Sequence, residues 1–505
     1  MRLSDSKAMR DADSHTIHVL GVPSTLLMTN AAREVADAAL ELMCDNKSAV
    51  IFCGSGNNGG DGIGAAVYLI RRGIDAHCYL VGERTKMTAD CSEMERRLIE
   101  IGGILEDFDP KDERVKAHTK EAGVIIDALF GIGLNTDLKE KALSAVNLIN
   151  ESGTSVVSAD IASGVEADTG RILGDAVRAD ITVTFSMAKP GHFVEPGCTC
   201  CGELRISDIG IPAEALISAG TNVFAVSAEE VILPQRPKIS HKGNFGKVLV
   251  LGGSVGYTGA PVLCAKAAAR CGAGLISVGV PKEIYGVTAD RLYEPMPFPL
   301  ADDGNGRISL SSLPIILEKL SNSDVCVIGC GLSRSDDLRE LTHSIIRASA
   351  KQLVIDADGL FALGDDPDII KSAQKPPVLT PHEGEFLRLG GELTGDRISD
   401  ARKFALSREC VLVLKGHHTV CAFPDGEVYI INAGNPGMAK GGSGDVLAGM
   451  IGALLGQLPQ KKAVITACAA HAMAGDLCAH RLGEYSMLPT DILEAIPDVL
   501  KSITR

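Results

Sequence analysis

Residues 49–62 read AVIFCGSGNNGGDG, an aliphatic run that breaks into a glycine-rich turn and continues into a stretch of helix-forming length. A strand buried on both faces that passes through glycine into a helix is the opening unit of a parallel α/β sheet. Outward from it the rhythm repeats: AHCYLVG at 76–82, VIIDALFG at 124–131, SVVSAD at 155–160 and ITVTFS at 181–186 are strand-like, and the segments between them are long enough for helices. This alternation predicts a Rossmann-like, doubly wound sheet with helices on both faces. Upstream, residues 24–44 read as an amphipathic helix introduced by Pro23, with Ser24 as its N-cap.

The rhythm pauses after Ile211, where residues 211–242 carry three prolines, and restarts with KVLVLGGS at 247–254. LISVGVP at 275–281, VCVIGCGL at 325–332, QLVIDADGL at 352–360, PVLTP at 377–381 and VLVLKG at 411–416 continue it, and TVCAFPDGEVYII around Asp425-Gly426 reads as a hairpin. The expectation is two α/β domains in series, 1–220 and 226–505, with the boundary near 220–228. Sheets of this kind bind ligands beyond the carboxyl ends of their strands, which directs attention to the residues standing there.

With 49 Lys+Arg against 64 Asp+Glu the net charge is −15, and no segment gathers basic residues into the stripe that a phosphate backbone requires, so nucleic acid is disfavoured as a partner. The longest apolar stretches, such as VLAGMIGALLG at 446–456, fall short of the ~18 residues of a membrane span. The 15 cysteines are scattered through a chain that opens MRLSDSKAMRDADSHTI without an apolar leader, from which reduced thiols and a cytoplasmic location are expected. Small-molecule substrates and a homo-oligomeric assembly complete that expectation.

Residues 54–59 fit G-x-G-x-x-G. Glycine lets backbone N–H groups approach an anion at the positive end of the next helix, but a tight strand-to-helix turn would use the same glycines. Asn57, Asn58 and Asp61 shift the balance towards a site, because a turn has no need of them. The missing GK[ST] excludes a nucleotide-triphosphate loop here. Asp127 and Asp160 end aliphatic strands, where a carboxylate costs free energy unless it caps, pairs, coordinates or catalyses. With Ser163 and Lys189 nearby, such strand ends would converge on one crevice.

LLMTNAA, GSGNNGGDG, DALFGIGL, DIASGVEADTG and FSMAKPG, in order across the first 210 residues, resemble the motifs of NAD(P)HX epimerases, which act on NADH or NADPH hydrated at the nicotinamide ring. The resemblance implies that Asn57, Asn58, Gly59, Gly60 and Asp61, with Gly131, Ile132, Gly133, Leu134, Asn135, Thr136, Asp137 and Asp160, bind the hydrated dinucleotide. It also implies Asn58, Asp127 and Ser163 as ligands of K+, and Asp160 with Lys189 as the acid/base pair. Thr29 stands where this family usually has Glu, and Ala162 and Ala188 where it usually has Pro.

In the second half, NAGNPGMAKGGSGDVLAGMIGALL at 432–455 sets Gly441, Gly442 and Gly444 at the start of an apolar helix whose first N–H groups suit an anion, with Asp445 entering as a potential base. A glycine-rich turn with a capping Asp is the plainer alternative. KGHHT at 415–419 follows a strand, so Lys415 and its neighbouring backbone could hold a diphosphate. The G-G-S-G-D pattern resembles the ribokinase-like fold. KGNFGKVLVLGGSVGYTGAPVLCAKAAARCGAGL at 242–275, GCGLSRSD at 329–336, DADGL at 356–360 and TPHEGEF at 380–386 extend the resemblance to ADP/ATP-dependent NAD(P)HX dehydratases over 240–505.

That resemblance implies Ala260, Gly331, His382 and Asp445 as contacts of the hydrated nucleotide, and Asp445 as a catalytic residue. Lys415, Gly416, His417, His418, Thr419 and Gly444 would hold ADP or ATP, with Mg2+. Lys440, where the family usually has Thr, either adds a phosphate contact or is solvated. Cys198, Cys200 and Cys201 lack a second ligand pair at zinc spacing and read as loop thiols, and His471 and His480 read as packed helix histidines. Together the halves resemble a bifunctional NAD(P)HX repair enzyme, which epimerises the R and S forms and dehydrates the S form at the expense of ADP or ATP. A kinase of the hydroxymethylpyrimidine or sugar type, fused to a dinucleotide-binding domain, is the other reading.

Overall fold

The computed structural model of the chain describes residues 1–43, 46–364 and 366–505. The chain forms two compact units, Arg2–Val223 and Phe224–Arg505, the latter including Met1.

The first unit runs α1 (Ser6–His18), α2 (Ser24–Leu42), β1 (Ser48–Cys53), α3 (Asn57–Arg71), β2 (Asp75–Leu80), α4 (Ala89–Glu100), β3 (Leu105–Asp107), α5 (Glu113–Glu121), β4 (Val124–Ala128), α6 (Glu140–Glu151), β5 (Val156–Ala159), β6 (Ile181–Phe185), β7 (Glu203–Ser207) and α7 (Ala213–Ala219). Its sheet has the order β3-β2-β1-β4-β5-β6-β7, with every pair parallel. Alternate residues of β1 feed two cores. Ala49, Ile51 and Cys53 pack with Leu27 of α2 and Ile63 of α3, while Val50 and Phe52 pack with Val115 of α5 and Val146 of α6. Helices therefore cover both faces, as the aliphatic strand runs require. The strand order reverses between β1 and β4, and the crevice of such a sheet opens at that point.

Two local readings change. Pro23, not Ser24, caps α2; its extended backbone (φ −60, ψ 130) already ends the preceding chain, and Ser24 Oγ instead donates to Asp90 Oδ1 at 2.8 Å. The helix ends at Leu42, and residue 44 of the expected span lies outside the described residues. The other change is α1, which carries no long apolar stripe; it starts because the Asp5 side chain accepts from Ala8 N at 2.8 Å.

The second unit runs β8 (Val223–Val226), β9 (Lys247–Leu251), α8 (Gly259–Arg270), β10 (Leu275–Pro281), α9 (Lys282–Arg291), β11 (Met296–Leu300), α10 (Leu313–Ser321), β12 (Val325–Ile328), α11 (Asp336–Ala348), β13 (Gln352–Ile355), α12 (Asp358–Ala362), β14 (Val378–Leu379), α13 (Glu383–Arg388), α14 (Arg397–Arg408), β15 (Val411–Leu414), β16 (Val420–Ala422), β17 (Val428–Ile431), α15 (Ser443–Leu455), α16 (Gln460–Leu482) and α17 (Pro489–Ile503). Its sheet has the order β11-β10-β9-β12-β13-β14-β15-β16-β17-β8. Across the sheet from β11 to β15 the strands pair in parallel, while β15–β16 and β16–β17 pair antiparallel, the second pair closed by the Asp425-Gly426 turn, where Gly426 has φ +86. β8 flanks β17 and stacks the Phe224 ring on Tyr429 at 4.7 Å between centroids.

Helices α8 and α15 approach closely because α15 carries Gly449 where they meet: a Cβ there would stand 2.1 Å from the Cys264 carbonyl oxygen. Backbone cannot yield as a flexible side chain does. Gly449→Ala is therefore expected to destabilise the second unit by roughly 1–3 kcal/mol through overpacking, read as a lower denaturant midpoint with an unchanged slope.

Candidate active sites

In the first unit a cavity of about 500 Å³ lies beyond the strand ends, lined by the β1–α3 turn, the β4–α6 loop, Asp160 after β5 and Lys189 after β6. Packing brings the two loops together. A Cβ on Gly54 would stand 2.0 Å from Leu129 O, and one on Gly59 would stand 1.8 Å from Gly54 O. Those glycines answer to backbone proximity, so the G-x-G-x-x-G match is partly structural. Gly56 faces open space and caps α3 without any side-chain hydrogen bond, which leaves first-turn N–H groups to a ligand.

Asp160 has a left-handed backbone, φ +67, a sparsely populated conformation for a residue with a side chain that Asp tolerates better than most. Its Oδ1 accepts from Lys189 Nζ at 2.6 Å and from Thr184 Oγ1 at 3.1 Å, and Lys189 Nζ also meets Thr184 Oγ1 at 2.8 Å. The Lys189 side chain is only 1% exposed. Burial raises the Asp160 pKa, but the Lys189 ammonium, with His192 and Thr184, more than offsets it and holds the carboxyl below its ordinary value. Burial, reinforced by Lys189, drives His192 down to about 4. His192 is thus neutral: its Nδ1 accepts from Lys189 N at 3.1 Å, and its Nε2 donates to Asp160 O at 3.0 Å.

Asp127, fully buried, accepts at Oδ2 from Ser163 N at 2.9 Å and Ser158 Oγ at 2.8 Å, and at Oδ1 from Leu129 N at 3.3 Å. Ser163 Oγ accepts from Phe130 N at 3.0 Å. The Asn58 amide is different, because both its oxygen and its nitrogen are buried without a hydrogen-bond partner among the described residues. Such an orphaned pair is costly unless a ligand meets it. A Cβ on Gly131 would stand 3.0 Å from Asp160 Oδ2 and 3.3 Å from Asn58 Oδ1, so these two side chains converge at Gly131. Oxygen donors of this kind suit a hard cation.

Asn57, Asn58, Asp61, Gly131, Ile132, Gly133 and Leu134 line the cavity; Gly59 and Gly60 lie beneath it, and Asn135, Thr136 and Asp137 are exposed outside the lining set. The lining also includes Arg10 and Asp13 from α1 and Asp90 from α4, which the sequence reading passed over. The polar segment MRDAD was the available signal.

In the second unit the glycines again open a helix. Gly442, at φ +109, caps α15 with no side-chain bond, and Asp445 follows in the first turn. Ligand atoms of Asp445, Asp356 and Cys330 lie within 4.8 Å of one another. Asp356, at the end of β13, accepts at Oδ1 from Lys415 Nζ at 2.9 Å and from Thr380 Oγ1 at 2.7 Å. Burial, then the neighbouring Asp356, pushes Asp445 up to about 6. For Lys415 burial lowers the pKa, but Asp356 and Glu385 outweigh it and keep the ammonium protonated. A Cβ on Gly444 would stand 3.4 Å from Lys415 Nζ, and one on Gly331 would stand 2.9 Å from the Ala260 Cβ.

His382 caps α13, with Nδ1 accepting from Gly384 N and Glu385 N, and bridges to Lys415 through the backbone. The loop carrying His417 and His418 stacks their rings at 4.1 Å, and Thr419 Oγ1 bonds back to Gly416 O at 3.4 Å. Arg397 braces that loop from α14, donating to Lys415 O at 2.9 Å. Lys440 is engaged by protein: its Nζ donates to Tyr485 O and Met487 O at 2.7 and 2.6 Å. His471 is buried as expected, yet its Nε2 finds no hydrogen-bond partner among the described residues, and His480 is exposed at the end of α16 rather than packed. Cys330 and Asp356 were legible only as parts of motifs, although Asp356 ends an aliphatic strand just as Asp160 does.

Fold and sites define a two-unit α/β enzyme: a Rossmann-like unit with a buried Asp–Lys pair, followed by a kinase-like unit with an Asp at a glycine-rich helix start. Residues 24–191 match the family described as YjeF-related protein N-terminus, and residues 248–498 match the family described as NAD(P)H-hydrate dehydratase. The chain is 38% identical over 495 residues to the bifunctional NAD(P)H-hydrate repair enzyme Nnr of Moorella thermoacetica, spanning 95% of this chain and 93% of that one. It is 37% identical over 510 residues to the protein of the same name from Thermofilum pendens, spanning 99% and 96%. A ribokinase-like superfamily protein from Enterococcus faecalis V583 superposes with a TM-score of 0.50 at 29% identity, covering 56% of this chain and 97% of that structure. The chain belongs to the family of bifunctional NAD(P)H-hydrate repair enzymes.

The Asp160–Lys189 contact generates a stability prediction. Lys189→Met strands a buried carboxylate and is expected to cost the first unit about 3–5 kcal/mol. Adding Asp160→Asn should recover part of that loss in equilibrium denaturation, because the second change removes the unpaired charge.

Proposed function

We propose that the chain repairs hydrated NAD(P)H in two reactions, epimerisation of R- and S-NAD(P)HX in the first unit and ADP- or ATP-dependent dehydration of the S form in the second. The observation that carries it is Asp445, half-buried at the uncapped glycine-rich start of α15 beside the Asp356–Lys415 pair. Its pKa of about 6 leaves it ionised at neutral pH yet basic enough to take a proton from a ring hydroxyl. As that oxygen attacks the terminal phosphoryl group, breaking its bond to the bridging oxygen and releasing AMP from ADP or ADP from ATP, the free N–H groups of α15 and the Lys415 ammonium stabilise the charge. The ring nitrogen's electron pair then expels phosphate, and the ring double bond is restored by proton loss from the adjacent carbon.

In this reading Lys415 to Thr419 and Gly444 hold the adenine nucleotide, and Ala260, Gly331 and His382 hold the hydrated one. Mg2+ would arrive on the nucleotide's phosphates, with the Asp356 carboxylate as an oxygen ligand at hand. In the first unit Asp160 and Lys189 handle the proton at the hydroxylated ring carbon, while the turn at 57–61 and the loop at 131–137 bind the dinucleotide. K+ would be held by Asn58, Asp127 and Ser163, supplying fixed positive charge beside the substrate. No helix among the described residues is long and apolar enough to cross a membrane. A cytoplasmic homo-oligomer acting on small molecules belongs to the same proposal.

Incubating the protein with S- and with R-NADHX, with and without ADP or ATP, and following the reduced-nicotinamide absorbance tests both halves. Nucleotide-dependent recovery of NADH from each epimer is expected; a stable phosphorylated product without NADH would favour the kinase reading. Asp445→Asn should lower dehydration ~10²–10⁴-fold while sparing epimer exchange. Protonation removes the base, so the wild-type dehydration rate should fall as pH drops through about 6.

A further inference from the structure

α1 brings to the first unit's cavity a carboxylate that the proposed chemistry leaves without a role. Asp13 lines the cavity together with Asp160 and Lys189, is half-buried, and makes no hydrogen bond or ion pair among the described residues. Its position is built in. Ser4 N donates to Ala188 O at 3.0 Å, next to Lys189, and Ser4 Oγ donates to Ala219 O at 3.0 Å. Ser6 N donates to Asp168 Oδ1 at 2.6 Å and so fixes the first turn of the helix. The start of α1 is thereby tied to the peptide that carries Lys189, and Met9, Arg10, Asp13 and Ile17 form its cavity-facing stripe.

The charged groups around Asp13 come from several elements. Lys189 and Asp160 stand at the strand ends, Asp61 on α3, Asp90 on α4 and Arg10 on α1 itself, while Glu214 on α7, the helix packed against α1, is exposed. Burial raises the Asp13 pKa, Lys189 lowers it and Asp160 raises it, for a result of about 6. Asp160, locked to Lys189 through Oδ1, stays ionised.

Epimerisation at a carbon bearing hydroxyl and ring nitrogen needs proton handling on both faces of the ring. The C–O bond breaks as the hydroxyl takes a proton and leaves as water, and the nitrogen lone pair forms a C=N iminium. Water then adds to the other face, its electron pair making the new C–O bond, its proton passing to a carboxylate, and the nitrogen recovering its pair. No oxidant is needed, and the atoms balance. One Asp–Lys pair cannot reach both faces at once. Resting on the epimerase reading, we infer that Asp13 is a further catalytic residue of the first unit, the acid that protonates the departing hydroxyl while Asp160 receives the proton of the incoming water; the roles exchange in the reverse direction.

The full-length protein tests this with R- and S-NADHX interconversion as the readout. Asp13→Asn should slow epimer exchange ~10²–10⁴-fold and abolish the limb of the kcat/KM profile that falls as pH rises through about 6. Asp13→Glu should restore part of the rate and return the limb. Thermal unfolding and nucleotide-dependent dehydration of S-NADHX should stay at wild-type values in both variants. An Asp13→Asn protein that interconverts the epimers at the wild-type rate with the limb intact overturns the assignment, as does equal loss in both variants accompanied by a lower melting temperature. A wild-type protein that does not interconvert the epimers overturns the epimerase reading itself.

Discussion

A carboxylate buried at the carboxyl end of a parallel strand is tolerated only when a positive charge or a set of hydrogen-bond donors meets it, and each unit meets one such carboxylate with a lysine. In the first, Asp160 follows β5 and is met by Lys189 and Thr184; in the second, Asp356 follows β13 and is met by Lys415 and Thr380. Each lysine comes from beyond another strand of the same sheet, so the ion pair also fixes the relative position of two strand-end loops. The surrounding glycines then permit close approach of those loops, as Gly54 does against Leu129 and Gly329 does against Asp356.

The same pairing has opposite consequences for the acids around it. Asp160 takes the lysine directly and is held below its ordinary value, whereas Asp445, which has no such direct partner among the described residues, is pushed up to about 6 by burial and then by the neighbouring Asp356 carboxylate. A group poised near neutrality suits proton removal from an alcohol, whereas a group held below its ordinary value stays ionised over a wider pH range. The different proton affinities of these two aspartates therefore follow from burial and from which of them the lysine meets, not from a difference in the type of side chain.

The parallel alternation, the hairpin at Asp425-Gly426 and the strand-end acids were legible because each leaves a mark in local pattern: aliphatic runs, a turn dipeptide, a charge where none belongs. α1 left no such mark. Its buried positions are Ser6, Met9, Ala12 and Thr16, too small and too polar to form an apolar stripe, and what holds it is hydrogen bonding to Asp168 and Ala188, far off in sequence. Asp13 was hidden for the same reason. The N-cap of α2 was misread because Ser24 has two uses and its tertiary partner, Asp90, prevailed over the local one. The unmet amide of Asn58 is likewise a fact of burial that no sequence pattern displays.

Joining the two units in one chain has a chemical logic of its own. On the proposed function, dehydration through a phosphorylated ring hydroxyl would be stereospecific, since the nucleotide's terminal phosphate and Asp445 would address the hydroxyl from directions set by α15 and the Lys415 loop. Hydration of a flat ring yields both epimers, so a stereospecific site alone leaves one of them unrepaired. An epimerising site needs neither nucleotide nor net proton change, only paired acid and base at a reversible carbon centre. On the proposed reading the sheet edge with Asp160 and Lys189, faced by Asp13 from α1, would supply those, and covalent linkage keeps the two units in equal number without any requirement for contact between them.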